Sequence, residues 1–152
     1  MCLRPAPASA GIQFKRIDVP RARRMIPARY DHVGDCRLGT TLVNDSGVEV
    51  ATVEHLISVL AGSGVENILI ELDGPEIPVM DGSAAPFVFL IECAGIAELA
   101  APRSVLRIRE AVRVGDHDSY VELRPGEGFS ADLEIAFSSA AMEWAEWVKT
   151  LR

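Results

Sequence analysis

Aromatic residues make up only 6% of this 152-residue chain, so aliphatic side chains must fill most of any core. Cysteine is scarce as well. Cys2, Cys36 and Cys93 are odd in number and form no CxxC pair, which excludes a disulfide framework or a zinc knuckle and predicts a reducing compartment. No long apolar run is present. The longest, Ala84–Ile91, falls well short of the roughly 20 residues that a bilayer span needs. The opening "MCLRPAPASAGIQF" has no apolar signal-peptide segment, and prolines interrupt it early. The expectation is a cytoplasmic protein, not a transmembrane one. Positive charge is also in deficit. A net charge of −7 argues against nucleic acid as a partner, because phosphate-backbone binding needs clustered Lys and Arg.

What is present supports a packed, soluble chain, with 49% hydrophobic and 24% charged residues. Basic residues gather in one place: Lys15, Arg16, Arg21, Arg23, Arg24 and Arg29, opposed only by Asp18. Such a cluster suits either an anionic surface or a solvated edge strand that uses charge to avoid pairing, and the second reading is favoured.

Periodicity then orders the chain. Residues 11–20 read as a strand ending at proline, and 37–51 as a hairpin turning at "DSG". Thr52 stands where an N-cap belongs, and Leu56, Val59 and Leu60 form an i, i+3, i+4 apolar stripe that Gly62 or Gly64 can end. Residues 67–73 read as a strand, and 74–83 as a rigid irregular connection. In that connection Asp81–Gly82 makes a turn and Ser83 caps a buried helix closed by Gly95, with Pro86 in its first turn. Beyond residue 102 the period becomes that of strands: 105–114, 119–125 and 129–137, a β-meander in which Phe129, Ala131, Leu133, Ile135 and Phe137 share a face. The tail 138–152 places Trp144, Trp147, Val148 and Leu151 on one helical stripe, a candidate surface for self-association.

Glu54 and His55 sit side by side where the first helix begins. A glutamate in a first helical turn is already explained by the helix dipole, and a single histidine needs no metal. The alternative is metal-assisted hydrolysis. A catalytic zinc takes about three protein ligands and keeps one position for water, and a carboxylate next to a ligand can remove that water's proton.

The residues around the pair carry a resemblance. "TVEHLISVLAGSGVENILIELDGPEIPVMDGSAAPFVFLIECAGI" (52–96) strongly resembles the UDP-3-O-acyl-N-acetylglucosamine deacetylases of lipid A synthesis. So do "GDCRLGTTLVN" (34–44), "LRPAPASAGIQFKRID" (3–18) and "RIREAVRVGDHDSYVELRPGEGFSADLEIAF" (107–137). The linked T-V-E-H and P-x-M-D-G-S-A-x-P-F blocks are specific together. The resemblance implies zinc-dependent hydrolysis of the N-acetyl group of UDP-3-O-acyl-N-acetylglucosamine. It also implies two α+β domains, each a sheet layered on helices, with zinc between them. By the same resemblance, His55 is a zinc ligand, Glu54 is the general base, and Leu38, Gly39 and Thr40 line the substrate entrance.

The expected architecture is therefore α+β. A two-layer sheet-on-helix first domain (1–102) is followed by an incomplete antiparallel second domain (103–137) and a non-family tail (138–152). Family members carry a further strand before the start of this chain, which predicts an unpaired edge in the first sheet. They supply a second zinc histidine and a zinc aspartate from an H-K-x-x-D helix in the second domain, and a further histidine downstream. The motif has no counterpart here, and neither His32 nor His117 stands where it asks for a ligand. The expectation is a fragment of the enzyme with an incomplete Zn2+ ligand set, inactive alone. The alternative is a noncatalytic remnant or binding module that keeps the first-domain fold.

Overall fold

The computed structural model describes residues 1–134 and the backbone of 149–151. The chain is mixed α+β and divides into two compact units, 1–101 and 102–152. No helix among the described residues is long and apolar enough to cross a membrane.

The first unit is built on a four-stranded sheet of β1 (Cys2–Pro5), β2 (Ile12–Arg16), β3 (Met25–Pro27) and, after the excursion described below, β6 (Ile68–Leu72). Its spatial order is β1-β6-β2-β3. β1 is antiparallel to β6, β3 is antiparallel to β2, and β2 runs parallel to β6 from Ile12↔Ile68 to Arg16↔Leu72. Alternation decides the faces: Phe14, Ile26, Ile70 and Leu72 point inward and are buried. β1 and β3 are the edges. Sequence periodicity gives no strand at β1, because Pro5 and Pro7 mask it, but an edge strand tolerates proline.

Between β2 and β6 the chain leaves the sheet. It forms the short hairpin of β4 (Leu42–Val43) and β5 (Glu49–Val50), narrower than the 37–51 that β-propensity suggests, and then helix α1 (Glu54–Gly62). Leu56, Val59 and Leu60 of α1, with Phe87 and Ile91 of α2 (Ala85–Ala94), close the same core over the inner sheet face. Each fully buried side chain of this size contributes about 1.5–3 kcal/mol. α1 ends in a Schellman motif. Val65 N–H donates to Leu60 O at 2.8 Å and Gly64 N–H to Ala61 O at 3.1 Å, with Gly64 at φ +71°. Ser83 acts one position further out than an N-cap: its hydroxyl accepts from Ala85 N–H at 3.2 Å and donates to Asp81 Oδ1 at 2.9 Å. Pro86 stands in the first turn of α2 and Gly95 closes it.

Polar side chains tie the excursion to the sheet. Asn44 Nδ2 donates to Arg23 O at 2.6 Å and to Met25 O at 2.9 Å. Its Oδ1 accepts from Ser46 N–H and Val48 N–H, both at 3.0 Å. Arg16, the one buried charged residue among those described, pairs bidentately with Asp18 and donates to Glu49 O at 2.6 Å. Three of the six residues of the basic cluster, Lys15, Arg16 and Arg29, are paired with carboxylates. Lys15 and Arg4 both hold Glu71, and Arg29 pairs with Asp31. These pairs, beside the edge strand β3, favour the solvated-edge reading over an anion-binding surface.

The second unit holds β7 (Val112–Gly115) paired antiparallel with β8 (Tyr120–Leu123), and β9 (Ala131–Leu133) paired antiparallel with β10 (Lys149–Leu151). Of the expected meander, the β7–β8 pairing is present, and β9 has β10 as a neighbour; residues 135–137 of its third segment lie outside the described residues. Local alternation specifies a strand but not its partner. The expected tail helix is corrected at its end, since Lys149–Leu151 is extended. Ile135, Phe137, Trp144, Trp147 and Val148 lie outside the described residues, as does the self-association stripe built on them.

Two stability outcomes follow. Asn44→Ala should lower unfolding stability by about 1–3 kcal/mol, because it leaves partners unsatisfied in a half-buried site; urea denaturation measures this. Lys15 and then Arg4, by hydrogen bonding, hold the Glu71 carboxyl down at about 2, against 4.5 normally. A depressed folded value means that the stabilisation is complete above about pH 4.5 and is lost as pH falls towards 2. Glu71→Gln should therefore destabilise at pH 7 and match the parent near pH 2, as read by urea midpoints across that window.

Candidate functional site at the start of the first helix

α1 begins at Glu54, so Glu54 and His55 are its first two residues, both half-buried above a helix whose third residue, Leu56, is wholly buried. Burial of Leu56, Val59 and Leu60 decides which face of the helix turns to the core, and so the side on which the pair emerges, while the residues that lead into the helix set the aim of its first turn. The Glu54 carboxylate is held from the hairpin side. Thr40 N–H donates to Glu54 Oε2 at 2.9 Å. Val53 N–H donates to Thr40 O at 3.2 Å, so the same residue grips the chain on both sides of its peptide units. Gly39 backs onto the same carboxylate: a β-carbon there would lie 3.1 Å from Glu54 Oε1. The loop can press against the carboxylate because position 39 carries no side chain.

Of the five residues singled out from the sequence, the structure brings Gly39 and Thr40 onto Glu54, and places His55 next to it on the helix. Leu38 stands apart, fully exposed with its side chain in solvent. The His55 ring has no hydrogen-bond partner among the described residues, while its carbonyl accepts from the Ser58 hydroxyl at 2.8 Å. The other two histidines are engaged elsewhere. His32 Nδ1–H donates to Val43 O at 3.0 Å, and His117 sits exposed beside Asp118 at 2.8 Å. The groove between α1 and α2, lined by Ser58, Val59, Ala84, Val88 and Ile96, does not contain Glu54 or His55.

Chemically, the pair offers a fixed carboxylate and a free imidazole side by side. A catalytic zinc needs about three protein ligands. No group of three or more His, Cys, Asp or Glu that could hold a metal exists among the described residues. The described residues therefore do not by themselves fit a catalytic zinc, and only one imidazole is available to contribute to one.

Sequence reasoning missed how Thr52 is used. It is not a cap: its φ is +57°, the cap position is Val53, and its hydroxyl donates to Glu76 Oε1 at 2.8 Å. A threonine before a helix reads as a cap, and no local signal gives away a partner on a distant loop.

The chain that forms this α+β unit has relatives among curated proteins. It is 50% identical over 143 residues to the UDP-3-O-acyl-N-acetylglucosamine deacetylase of Pseudoalteromonas atlantica, covering 93% of this chain and 46% of that protein. With the enzyme of the same name from Shewanella frigidimarina it shares 50% over 137 residues, covering 90% and 44%. With that from Shewanella violacea it shares 46% over 146 residues, covering 96% and 47%. Residues 1–151 match the family UDP-3-O-acyl N-acetylglycosamine deacetylase, and the chain belongs to it. The match continues past Phe137, so the segment 138–151 that motif resemblance leaves outside the family falls inside it. The chain spans about half the length of the curated relatives it matches.

The contact at Gly39 is open to direct test. Gly39→Ala should displace the Glu54 carboxylate or the loop by a few tenths of an ångström and move the Thr40 amide resonance, with a stability loss of about 1 kcal/mol or less. An unmoved Thr40 resonance would show that the loop does not bear on Glu54.

Proposed function

We propose that this chain is part of a zinc-dependent UDP-3-O-acyl-N-acetylglucosamine deacetylase, its first domain with an incomplete second domain, a hydrolase acting in lipid A biosynthesis in the cytoplasm. The observation that carries the reading is the hold on Glu54: a carboxylate fixed by Thr40 N–H beside a histidine with a free ring, in a chain of this family. Glu54 takes the proton of the attacking water, and the Thr40 N–H keeps the carboxylate aimed while it does so. A positioned general base of this kind contributes roughly 10²–10⁴-fold to rate. His55 offers a ring nitrogen as one zinc ligand, on a rigid element that cannot swing away. A zinc held by His55 together with ligands from outside the described residues would supply Lewis acidity at the amide carbonyl. Leu38, exposed next to Gly39 and Thr40, lines the substrate entrance in this reading; its exposure is what supports it.

Because the described residues hold no three-ligand cluster, this polypeptide alone should bind zinc weakly and release no acetate from the UDP-sugar above background. In a zinc titration followed by NMR, the His55 ring signals should move first, ahead of those of His32 and His117, and His55→Ala should abolish the early response. A His55 ring that ignores zinc while His32 responds would refute the ligand assignment. Acetate release by the isolated chain, abolished by Glu54→Ala, would show that the ligand set had been misread.

A further inference from the structure

Thr52 occupies the left-handed region at φ +57°, where a β-branched side chain is a rare tenant. The backbone is pinned on both sides of it. Ala51 N–H donates to Pro75 O at 2.8 Å, Ile77 N–H donates to Ala51 O at 3.1 Å, and Val53 N–H donates to Thr40 O at 3.2 Å. A single residue must therefore make the whole turn between the strand-like contact with 75–77 and the first turn of α1. Glycine would make that turn without steric cost. Threonine makes it under strain, and strain of this kind persists only where the surroundings over-determine the conformation. What threonine adds is a hydroxyl, and the hydroxyl is bound to the Glu76 carboxylate at 2.8 Å.

We propose that Thr52 and Glu76 form a positioning pair: their hydrogen bond holds the left-handed turn, and the turn sets the rotation at which Glu54 and His55 leave it. The inference rests on the reading of Glu54 and His55 as the functional pair. The route from one pair to the other is short and runs through Thr40. Thr40 O receives Val53 N–H, just after the turn, and Thr40 N–H reaches Glu54 Oε2. If the start of α1 rotates about Thr52, both bonds to Thr40 are strained together, and the carboxylate loses its aim. Neither Thr52 nor Glu76 needs to touch substrate for this. Glu76 is exposed on the irregular 74–83 connection, so the connection that leads to α2 also steadies the start of α1.

The test uses the 152-residue chain and three variants. Thr52→Val keeps the branched shape and deletes the hydroxyl, Thr52→Ser keeps the hydroxyl, and Glu76→Ala removes the acceptor from the solvent side without altering the core. Deuterium exchange of the Thr40 amide is measured relative to that of Phe14 in β2, together with the His55 ring shifts and the urea midpoint. Thr52→Val and Glu76→Ala should each speed Thr40 exchange relative to Phe14 by about tenfold, the scale of one lost hydrogen bond. The double variant should be no faster than either single variant, and Thr52→Ser should retain the parental rate. If Thr52→Val and Glu76→Ala lower only the urea midpoint, with Thr40 exchange and His55 shifts unmoved, the pair stabilises the fold and positions nothing. Adding zinc to the same samples separates the two readings. His55 rings that ignore zinc while Thr40 loosens in the variants would count against the proposed function and still support the positioning role.

Discussion

Two parallel neighbouring strands cannot be joined by a tight turn, and β2 and β6 are parallel neighbours. The chain must leave the sheet after β2 and return alongside it, and nearly everything of functional interest lies on that excursion. β3 extends the sheet, the β4–β5 hairpin folds over its edge, and α1 covers the inner face before the return. Burial of Leu56, Val59 and Leu60 fixes α1 on that face. The excursion is then stitched to the sheet by Asn44 and Arg16, two polar residues whose hydrogen bonds reach Arg23, Met25 and Glu49. Rigidity at Glu54 and His55 is a consequence of this crossover geometry, not of helix propensity; a helix of nine residues has little stability of its own.

The same constraint explains why the hairpin and the helix meet. The last residues before β4 and the first residues of α1 are brought together at Thr40, whose N–H and C=O bridge the two segments. A backbone donor is a durable way to hold a carboxylate, since no side-chain rotamer has to be ordered to present it. The absence of a side chain at Gly39 is what lets the loop close to that distance.

Much of this was legible in the sequence. Alternation located β2 and β6, the apolar stripe located α1, and glycines marked the ends of both helices. The T-V-E-H block singled out Glu54 and His55. What was not legible was long-range. Thr52 reads as a cap because caps are the usual use of threonine before a helix, yet its hydroxyl is taken by Glu76 across the 75–77 contact. β1 was hidden by prolines that only an edge strand accommodates. In the second unit the described strands Val112–Gly115, Tyr120–Leu123 and Ala131–Leu133 are shorter than the alternating segments, and strand period carries no information about pairing: β9 joins β10. Gly39 and Thr40 were singled out as substrate-lining residues by resemblance; that they also bear on Glu54 depends on a loop-to-helix contact that spacing cannot show.

The proposed function gives two adjacent residues different roles, His55 as a ligand and Glu54 as the base. The most direct measurement joins residues 1–151 to the remaining half of the Pseudoalteromonas atlantica relative and compares zinc content with acetate release in Glu54→Ala and His55→Ala. The account predicts that Glu54→Ala keeps its zinc and loses roughly 10²–10⁴-fold in rate, whereas His55→Ala loses most of its zinc. Equal loss of zinc in both variants, or full activity with Glu54 replaced, would contradict it.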